Sequence, residues 1–495
     1  MSDTTRGNMP QILYAHASPK SSGEVSLFDE SLEGHDFTST QGPDFTSSRA
    51  DIAAATEQLR AAGFEILEEG STATTINIAG PPELYERYFQ VPLVTEQREV
   101  IRPGSAGERE TVTFVDCPTT SLSGLIPTDR SPVVDVVEGV AIEEPVFPFR
   151  GTPVNASPPR PGYWHLTVPR KVAELLDADK LHQEGIRGAG VRLAMVDSGW
   201  WGGHPYFAER RLSGSVVLGP GAEREDVDEN GHGTGESANV FALAPDIDFT
   251  MVKANFENIL GSFNAAVNQN PRPHIVSNSW GGNVAAPPLT AIGRAMVDSI
   301  TAAVADGITV VFSAGNGHYG FPAQHPDVIA AGGVYIDNSG GTQASNYASG
   351  FRSRIYPDRI VPDVCGLVGM QPHAMYIMLP VPPGCEIDQE LSGRNAAVFP
   401  EGDETRANDG WAAFSGTSAA APQIAGICAL LREAYPELSP RGIRNALMSS
   451  ARDVQTGASN PSTNGGSIAG PGHDEATGWG LASASAAVAA AVFQM

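Results

Sequence analysis

Cysteine, basic residues and long apolar runs are all scarce in this chain of 495 residues. Its four cysteines include no Cys-x-x-Cys pair, which argues against a zinc site and a disulfide-rich scaffold. No stretch approaches the roughly 18 apolar residues of a membrane span, and residues 1–20 contain no apolar segment of the signal-peptide type. We therefore expect a cytoplasmic protein with free thiols and no membrane partner, although a bridge between Cys365 and Cys385 stays open.

The charge balance excludes a further class of partner. Acidic residues number 57 and basic residues 31, a net charge of −26 that argues against binding to nucleic acid. Charged residues make up only 18% of the chain against 41% hydrophobic residues, so a folded globular protein is indicated. The length exceeds what one ordinary core accommodates and favours two domains.

The N-terminal part reads as a small α+β domain. Residues 1–48 are polar, contain one possible strand at 11–14 and are otherwise hard to place. From residue 49 to 142 the pattern predicts a helix stopped by Gly63, two strands, a second helix and a further strand, in the manner of a split βαβ unit. Prolines then crowd into residues 143–163 and predict a linker.

Residues 164–495 alternate between apolar strands and helical segments. Continuous apolar runs at 191–196 and 308–312 predict strands buried on both faces of a parallel sheet. Asp197 directly follows the first run and Asn316 closely follows the second. Because open α/β sheets bind their ligands at the carboxyl ends of the strands, both side chains are candidates for a site there.

Two further residues have the chemistry of a hydrolase. His232 lies between glycines that leave space around its ring, and Ser418 precedes a segment with apolar residues at helical spacing. A serine at a helix N-terminus is close to unpaired N–H groups and the positive end of the dipole, which suits a nucleophile that generates an oxyanion. Each residue also has a structural interpretation: a post-strand turn for Asp197, a buried histidine, an N-capping serine and an Asn-Gly turn at Asn316.

Taken together, three segments resemble the signatures of subtilisin-like serine peptidases, in that family's order of Asp, His and Ser: Asp197-Ser198-Gly199, Gly231-His232-Gly233-Thr234 and Gly416-Thr417-Ser418-Ala419-Ala420-Ala421-Pro422. The resemblance implies a subtilisin-like three-layer α/β fold with a mainly parallel sheet. It further implies Ser418 as nucleophile, His232 as base, Asp197 as the residue that orients the base, and Asn316 in the oxyanion hole. The segments expected to bind substrate are Ser279-Trp280-Gly281-Gly282 and Ser313-Ala314-Gly315.

The N-terminal domain carries a second, looser resemblance. The segments 59–64, 77–80 and 88–91 are similar to the prodomains of subtilisin-like and sedolisin-like peptidases. This implies a ferredoxin-like fold that assists folding and blocks the active site until it is cleaved. An unrelated small α+β domain is the alternative.

The same residues distinguish this chain from a related family and bear on metal binding. Sedolisins use a glutamate base and an oxyanion-hole aspartate, whereas this chain has His232 and Asn316 in those settings. Calcium is common among subtilisin-like peptidases, but no ligand loop is recognisable here, so we predict no metal or other cofactor. Two hypotheses remain: a serine endopeptidase made as a proenzyme with its own prodomain as inhibitor, or a latent protease-like binding or regulatory protein whose N-terminal domain permanently occupies the cleft.

Three features depart from the family pattern or stay open. Glu236 follows His232 by one helical turn and is expected to raise the pKa of the imidazole. Residues 366–410 form an insertion or elaborated loop before the serine, with an open role that includes gating. The acidic run at 223–230 predicts either a site for basic substrate residues or an ordinary solvated surface.

Overall fold

The computed structural model describes residues 9–23, 25–29, 32, 45–69, 75–101, 109–148, 164–371, 377–392, 403–405 and 410–494. The N-terminal unit consists of β1 (Leu13–Pro19), α1 (Arg49–Ala62), β2 (Glu65–Glu69), β3 (Ile76–Gly80), α2 (Pro82–Phe89), β4 (Val94–Ile101), β5 (Arg109–Asp116), β6 (Leu125–Ile126) and β7 (Val137–Ile142). Helix α1 ends at Gly63, as predicted, because this residue adopts the left-handed conformation (φ 103°) of a helix C-cap.

Five strands form an antiparallel sheet in the order β2-β3-β1-β7-β6. Since β1 and β2 both run antiparallel to β3, helix α1 connects two parallel strands with a third between them. Helix α2 connects β3 and β7 around β1 in the same way, so the unit has the predicted ferredoxin-like topology. Strand β1 lies at the centre of the sheet, and the folded unit therefore includes residues before 49.

The core of this unit forms between the sheet and its two helices. Phe64 and Phe89 pack against the buried ring of Tyr85, whose hydroxyl donates to the carbonyl of Leu13 at 2.9 Å. Strands β4 and β5 form a separate hairpin outside the sheet. The hairpin is an insertion between α2 and the last strands of the unit.

After the N-terminal unit the chain forms the short strand β8 (Phe147–Pro148). The elements of the C-terminal domain then follow in chain order: β9 (Leu166–Thr167), α3 (Arg170–Leu175), α4 (Ala178–Gln183), β10 (Arg192–Asp197), α5 (Pro205–Arg210), β11 (Gly214–Leu218), α6 (His232–Leu243), β12 (Asp248–Lys253), α7 (Ile259–Val267), β13 (Ile275–Asn278), β14 (Trp280–Asn283), α8 (Ala291–Ala305), β15 (Thr309–Ser313), β16 (Gly320–Phe321), β17 (Ile329–Ile336), β18 (Thr342–Ala344), β19 (Phe351–Arg352), β20 (Ile360–Val361), β21 (Val364–Leu367), β22 (Ile377–Pro380), α9 (Glu386–Leu391), β23 (Trp411–Phe414), α10 (Thr417–Ala434), α11 (Pro440–Ser450) and α12 (Ala484–Ala491). A short 3-10 helix, Val492–Gln494, ends the described chain.

The principal sheet of this domain has the order β11-β12-β10-β13-β15-β17-β18, and β21 also pairs with β17. All of its pairings are parallel except that of β17 with β18. Along β10, Leu193 and Met195 belong to the apolar cluster with α6 and α10, whereas Ala194 and Val196 belong to the cluster with α7 and α8. The sheet is thus buried on both faces between two helical layers, which confirms the predicted three-layer α/β fold.

The described part of the 366–410 segment is a small structure beside this sheet. Strand β22 pairs antiparallel with β23 and parallel with β9. Helix α9 begins against the loop that precedes α6, where the backbone N–H groups of Glu386 and Ile387 donate to the carbonyls of Glu229 and Asn230. Among the helices that the structure describes, none is long and apolar enough to cross a membrane.

Candidate active site

Two of the predicted site residues meet directly at one edge of the parallel sheet. Asp197 is the last residue of β10, and His232 is the first residue of α6. The Nδ1 atom of His232 lies 2.7 Å from Oδ1 of Asp197, and both side chains are buried. Within the described structure the other ring nitrogen, Nε2, has no hydrogen-bond partner. The pair therefore has one nitrogen fixed by a carboxylate and the other available to accept a proton.

Asp228 fixes the helix that begins with His232. Its Oδ1 accepts from the backbone N–H of Gly231 at 2.9 Å, and its Oδ2 accepts from the backbone N–H and the hydroxyl of Thr234. The Ser198 hydroxyl donates to Asp228 and accepts from the N–H of Gly233, both at 2.8 Å, so the turn after Asp197 is tied to the same helix end. A carboxylate here satisfies N–H groups that a helix start leaves unpaired.

The acidic run 223–230 is accordingly not one uniform solvated surface. Asp228 is buried, whereas Glu223, Glu225, Asp226 and Glu229 are exposed; Glu229 in addition pairs with Lys253 at 2.7 Å. Sequence reasoning missed Asp228, because it lies three residues before the N-cap residue Gly231 and so does not occupy the usual capping position.

The positions on either side of His232 require glycine for different steric reasons. Gly231 has φ 90°, and a Cβ atom there would also overlap the Cys385 sulfur. A Cβ atom on Gly233 would overlap the carbonyl oxygen of Gly199, in the turn that follows Asp197. The space predicted around His232 is therefore used by another stretch of backbone, which brings the Asp197 and His232 segments together.

Asn316 contacts the start of helix α10, which carries Ser418 as its second residue. Oδ1 of Asn316 accepts from the backbone N–H and the hydroxyl of Thr417, each at 3.0 Å. Its Nδ2 is buried and has no acceptor among the described residues. The side chain is thus held by its oxygen while its two amide hydrogens remain available to a ligand.

The two glycine-containing segments expected to bind substrate border Ser418. The hydroxyl of Ser279 donates to the backbone carbonyl of Ser418 at 2.9 Å. In the other segment, Ser313 ends β15, Ala314 is buried, and the N–H of Gly315 donates to the Thr417 hydroxyl at 3.1 Å.

Trp280, Gly281 and Gly282 lie on the short strand β14. The Trp280 side chain is buried and donates from Nε1 to the carbonyl of Val196, the residue before Asp197. It therefore helps to fix the end of the strand that carries Asp197. The backbone of Trp280 and Gly281 pairs antiparallel with Pro148 and Phe147 of β8. The strand expected to bind substrate backbone is therefore already paired with the segment that leaves the N-terminal unit.

Several carboxylates perturb the titration of this site. Burial alone would lower the pKa of His232, but Asp197, with smaller contributions from Glu236 and Asp228, outweighs it and raises the value to about 9. Burial raises the pKa of Glu236 to about 8, against the opposing effects of His232 and Asn239. The predicted upward effect of Glu236 on the imidazole is consistent with this arrangement.

Among the described residues, no group of three or more His, Cys, Asp or Glu side chains could hold a metal ion. The four cysteines are buried and unbridged, as expected, and burial raises the pKa of Cys385 to about 12.

A parallel sheet with an aspartate at a strand end, and a histidine and a serine at the starts of two helices, defines a protein of the subtilisin type. The chain belongs to the subtilase family (peptidase family S8), whose sequence model matches residues 188–480. The match covers the three segments that contain Asp197, His232 and Ser418.

The sequence identity to individual relatives is low. Alkaline elastase YaB of Bacillus sp. (strain YaB) is 28% identical over 287 residues, 54% of this chain and 61% of the relative. The subtilisin-like protease PopC of Myxococcus xanthus (strain DK1622) is 28% identical over 305 residues, 54% of this chain and 57% of PopC. Subtilisin DY of Bacillus licheniformis is 28% identical over 310 residues, 58% of this chain and 93% of that protein. The chain thus spans about six tenths of the length of the first two relatives.

Among solved structures, fervidolysin from Fervidobacterium pennivorans, a keratinolytic enzyme related to subtilisin, has a similar fold. It matches 99% of this chain and 62% of its own, with a TM-score of 0.54 and 16% identity. At this sequence identity the similarity supports the fold alone.

Proposed function

We propose that the protein is a serine endopeptidase that hydrolyses peptide bonds of protein or peptide substrates through an acyl-enzyme. The observation that carries the proposal is the buried 2.7 Å contact of Asp197 with Nδ1 of His232, with Nε2 left unpaired within the described structure. Asn316 adds an unpaired amide donor beside the helix of Ser418. The proteases among its relatives support the same reaction class.

Each residue then has a defined part in the reaction. Nε2 of His232 accepts the proton of the Ser418 hydroxyl as its oxygen attacks the substrate carbonyl. Asp197 keeps the imidazole in the required tautomer and stabilises the imidazolium that forms. Nδ2 of Asn316 and the backbone N–H of Ser418 donate to the oxyanion. The imidazolium protonates the leaving amine, and water activated by His232 then releases the acid.

We further propose that the N-terminal unit is an intramolecular inhibitor. Its last segment pairs through β8 with the edge that would hold substrate backbone. A polypeptide strand cannot add to that edge while β8 is paired there, because the same N–H and C=O groups are used. A cavity of about 150 Å³ beside this edge is lined from both sides, by Glu99, Phe114 and Val146 of the N-terminal part and by Trp280 and Met296.

Buried polar contacts hold the N-terminal unit in this position. Asn77 and Asn258 exchange amide hydrogen bonds of 2.8 and 3.0 Å across the interface. Oε1 of Glu143 lies 3.2 Å from His16 Nε2 and accepts from the N–H of Leu260 at 3.1 Å, in the first turn of α7. Partial separation of the N-terminal unit would leave these buried polar groups without hydrogen bonds, at a cost in free energy. This favours release of the whole unit in one step.

The proposed domain division is an N-terminal unit up to residue 142, a linker at 143–163 and a peptidase domain from 164 onwards. Since β8 lies in this linker and ends at Pro148, we expect the activating cut after it, within residues 149–163, which lie outside the described part of the chain.

The test uses the full-length chain and Ser418→Ala. We expect the wild type to cut itself, to yield a new N-terminus within 149–163, to react with a fluorophosphonate probe and to cleave peptides, whereas Ser418→Ala stays intact, unlabelled and inactive with an unchanged circular dichroism spectrum. If the wild type neither cleaves peptides nor labels, before or after limited proteolysis of the linker, the latent binding protein is the better description. Equal turnover in Ser418→Ala would refute the assignment of the nucleophile.

A further inference from the structure

Glu236 is a second carboxyl group at the base, on the side of the ring opposite to Asp197. It lies one turn after His232 on α6, and its side chain is completely buried. Its Oε1 is 3.9 Å from Nε2 of His232, and neither of these two atoms has a hydrogen-bond partner among the described residues. Nε2 is the nitrogen that accepts the proton of Ser418 in the proposed mechanism. A carboxyl group therefore faces the reactive edge of the ring.

A relay of amides fixes Glu236 in this place. Its Oε2 accepts from Nδ2 of Asn239 at 2.8 Å, and Oδ1 of Asn239 accepts from Nε2 of Gln423 at 3.2 Å. Gln423 belongs to α10 and also bonds the N–H and the carbonyl of Leu367. The relay thus joins the helix of His232 to the helix of Ser418. It occupies one oxygen of Glu236 and leaves the other directed at the imidazole.

We propose that Glu236 shares a titrating proton with His232 and thereby sets the pH above which the peptidase is active. The inference rests on the proposed function, because it assigns Glu236 a positioning role on the base. The other ionisable groups that face the pair are Asp197 from β10, Asp228 from the loop before α6 and Tyr347 from the loop after β18. None of these groups is cationic, so the surroundings favour a proton on the pair.

The two sites compete for that proton. When it lies on His232, Nε2 cannot accept the proton of Ser418; when it lies on Glu236, the base is free. Burial raises the pKa of Glu236, and the carboxylates around His232 raise that of the imidazole, so the pair keeps at least one proton through neutral pH and loses its last proton only above it. Above this range Glu236 is an anion, which stabilises the imidazolium of the transition state and makes the base stronger.

Glu236→Gln removes the competing carboxylate at nearly the same volume. We expect the acidic limb of the kcat/KM profile to move to lower pH by about one pH unit, since the charge that stabilises the resting imidazolium is gone. On that limb the variant should be up to about tenfold faster than the wild type. At alkaline pH its kcat should fall severalfold because the base is weaker, with KM unchanged. If Glu236 had only a structural role, its replacement would lower kcat/KM at every pH and leave the pH of the acidic limb unchanged.

Glu433→Gln is the matched control. Like Glu236, Glu433 is a carboxylate on a helix, but it lies on α10, and its Oε2 accepts from the N–H groups of Arg187 and Gly188. Its profile should superimpose on that of the wild type. Superimposable acidic limbs for Glu236→Gln and the wild type would overturn the proposal. If the wild type cleaves nothing from about pH 5 to 10 and labels with no probe, it is the peptidase function that fails.

An NMR titration tests the pair without activity and without the Glu236 variant. In full-length Ser418→Ala, the ring signals of His232 should titrate in two steps, with both midpoints above the ordinary histidine value of about 6.5. A single step at the ordinary value would overturn the proposal even if Glu236→Gln fails to fold.

Discussion

The side-chain donor of the proposed oxyanion hole gives the sharpest quantitative prediction. In Asn316→Ala, two hydrogen bonds from Thr417 lose their acceptor, and the buried Nδ2 donor disappears. If Nδ2 donates only to the oxyanion of the tetrahedral intermediate, the loss falls on kcat and leaves KM nearly unchanged. Removing one such donor costs about 10²–10³ in kcat, or about 2.7–4 kcal/mol, a magnitude that comes from this same family.

The design separates donation from orientation with a double-mutant cycle. Thr417→Val keeps Nδ2 but removes the hydroxyl that holds Oδ1, so we expect a loss of about tenfold, as for one side-chain hydrogen bond of about 1.4 kcal/mol. Because Thr417 would act through Asn316, the same change should have almost no further effect on kcat in the Asn316→Ala background. The measurement is steady-state hydrolysis of a chromogenic peptide by the processed enzyme, with unfolding curves for each variant.

Two results would contradict this reasoning. If Asn316→Ala retains kcat within about threefold of the wild type, where the donor predicts a loss of at least about 10², Nδ2 does not face the oxyanion. If the loss falls wholly on KM, Asn316 binds ground-state substrate. Additive effects of the two substitutions would show that Thr417 acts independently.

Four further outcomes are expected. Asp197→Asn should lower kcat by about 10⁴ with little change in KM, because the amide favours the wrong tautomer of the base. Arg359→Leu should cost about 3–5 kcal/mol in urea unfolding, since it removes one of the two arginines that pair with buried Asp363 and leaves Arg444 as the remaining cationic partner. Burial would raise the pKa of Asp363, but the two arginines hold it well below its usual range. In the wild type this stabilisation should be complete above about pH 5 and should decrease progressively as the pH falls through and below the unfolded-state pKa of about 3.9. Asn258→Leu should weaken docking of the N-terminal unit by about 1–3 kcal/mol, seen as faster proteolysis of that unit in the Ser418→Ala background.

Strands with continuous apolar sequence were predictable within one or two residues. The runs at 191–196 and 308–312 correspond to β10 (Arg192–Asp197) and β15 (Thr309–Ser313). The middle of a strand buried on both faces is apolar at successive positions, so its sequence differs from that of a surface element. The helix after Ser418 was visible for a related reason, because its apolar spacing follows the helical period.

Elements whose environment depends on distant partners were harder to predict. Strand β1 was expected only at residues 11–14, because His16 and Ser18 are polar although both are buried. Its central position comes from pairing with β3 and β7, which lie about 60 and 125 residues further along the chain. Asp228 was hidden in the same way, since a run of acidic residues has the appearance of a solvated loop until the capped helix is placed beside it.

The pairing of β8 with β14 also bears on how inhibition would end. A strand tethered to its binding edge competes with substrate at an effective concentration that reaches the order of millimolar for short linkers. Once the chain is cut beyond Pro148, the N-terminal fragment competes only at its bulk concentration and with the affinity of its remaining interface. Dilution or digestion of the fragment would then open the groove without any rearrangement of the peptidase domain. The activity would rise as the concentration of the liberated fragment falls.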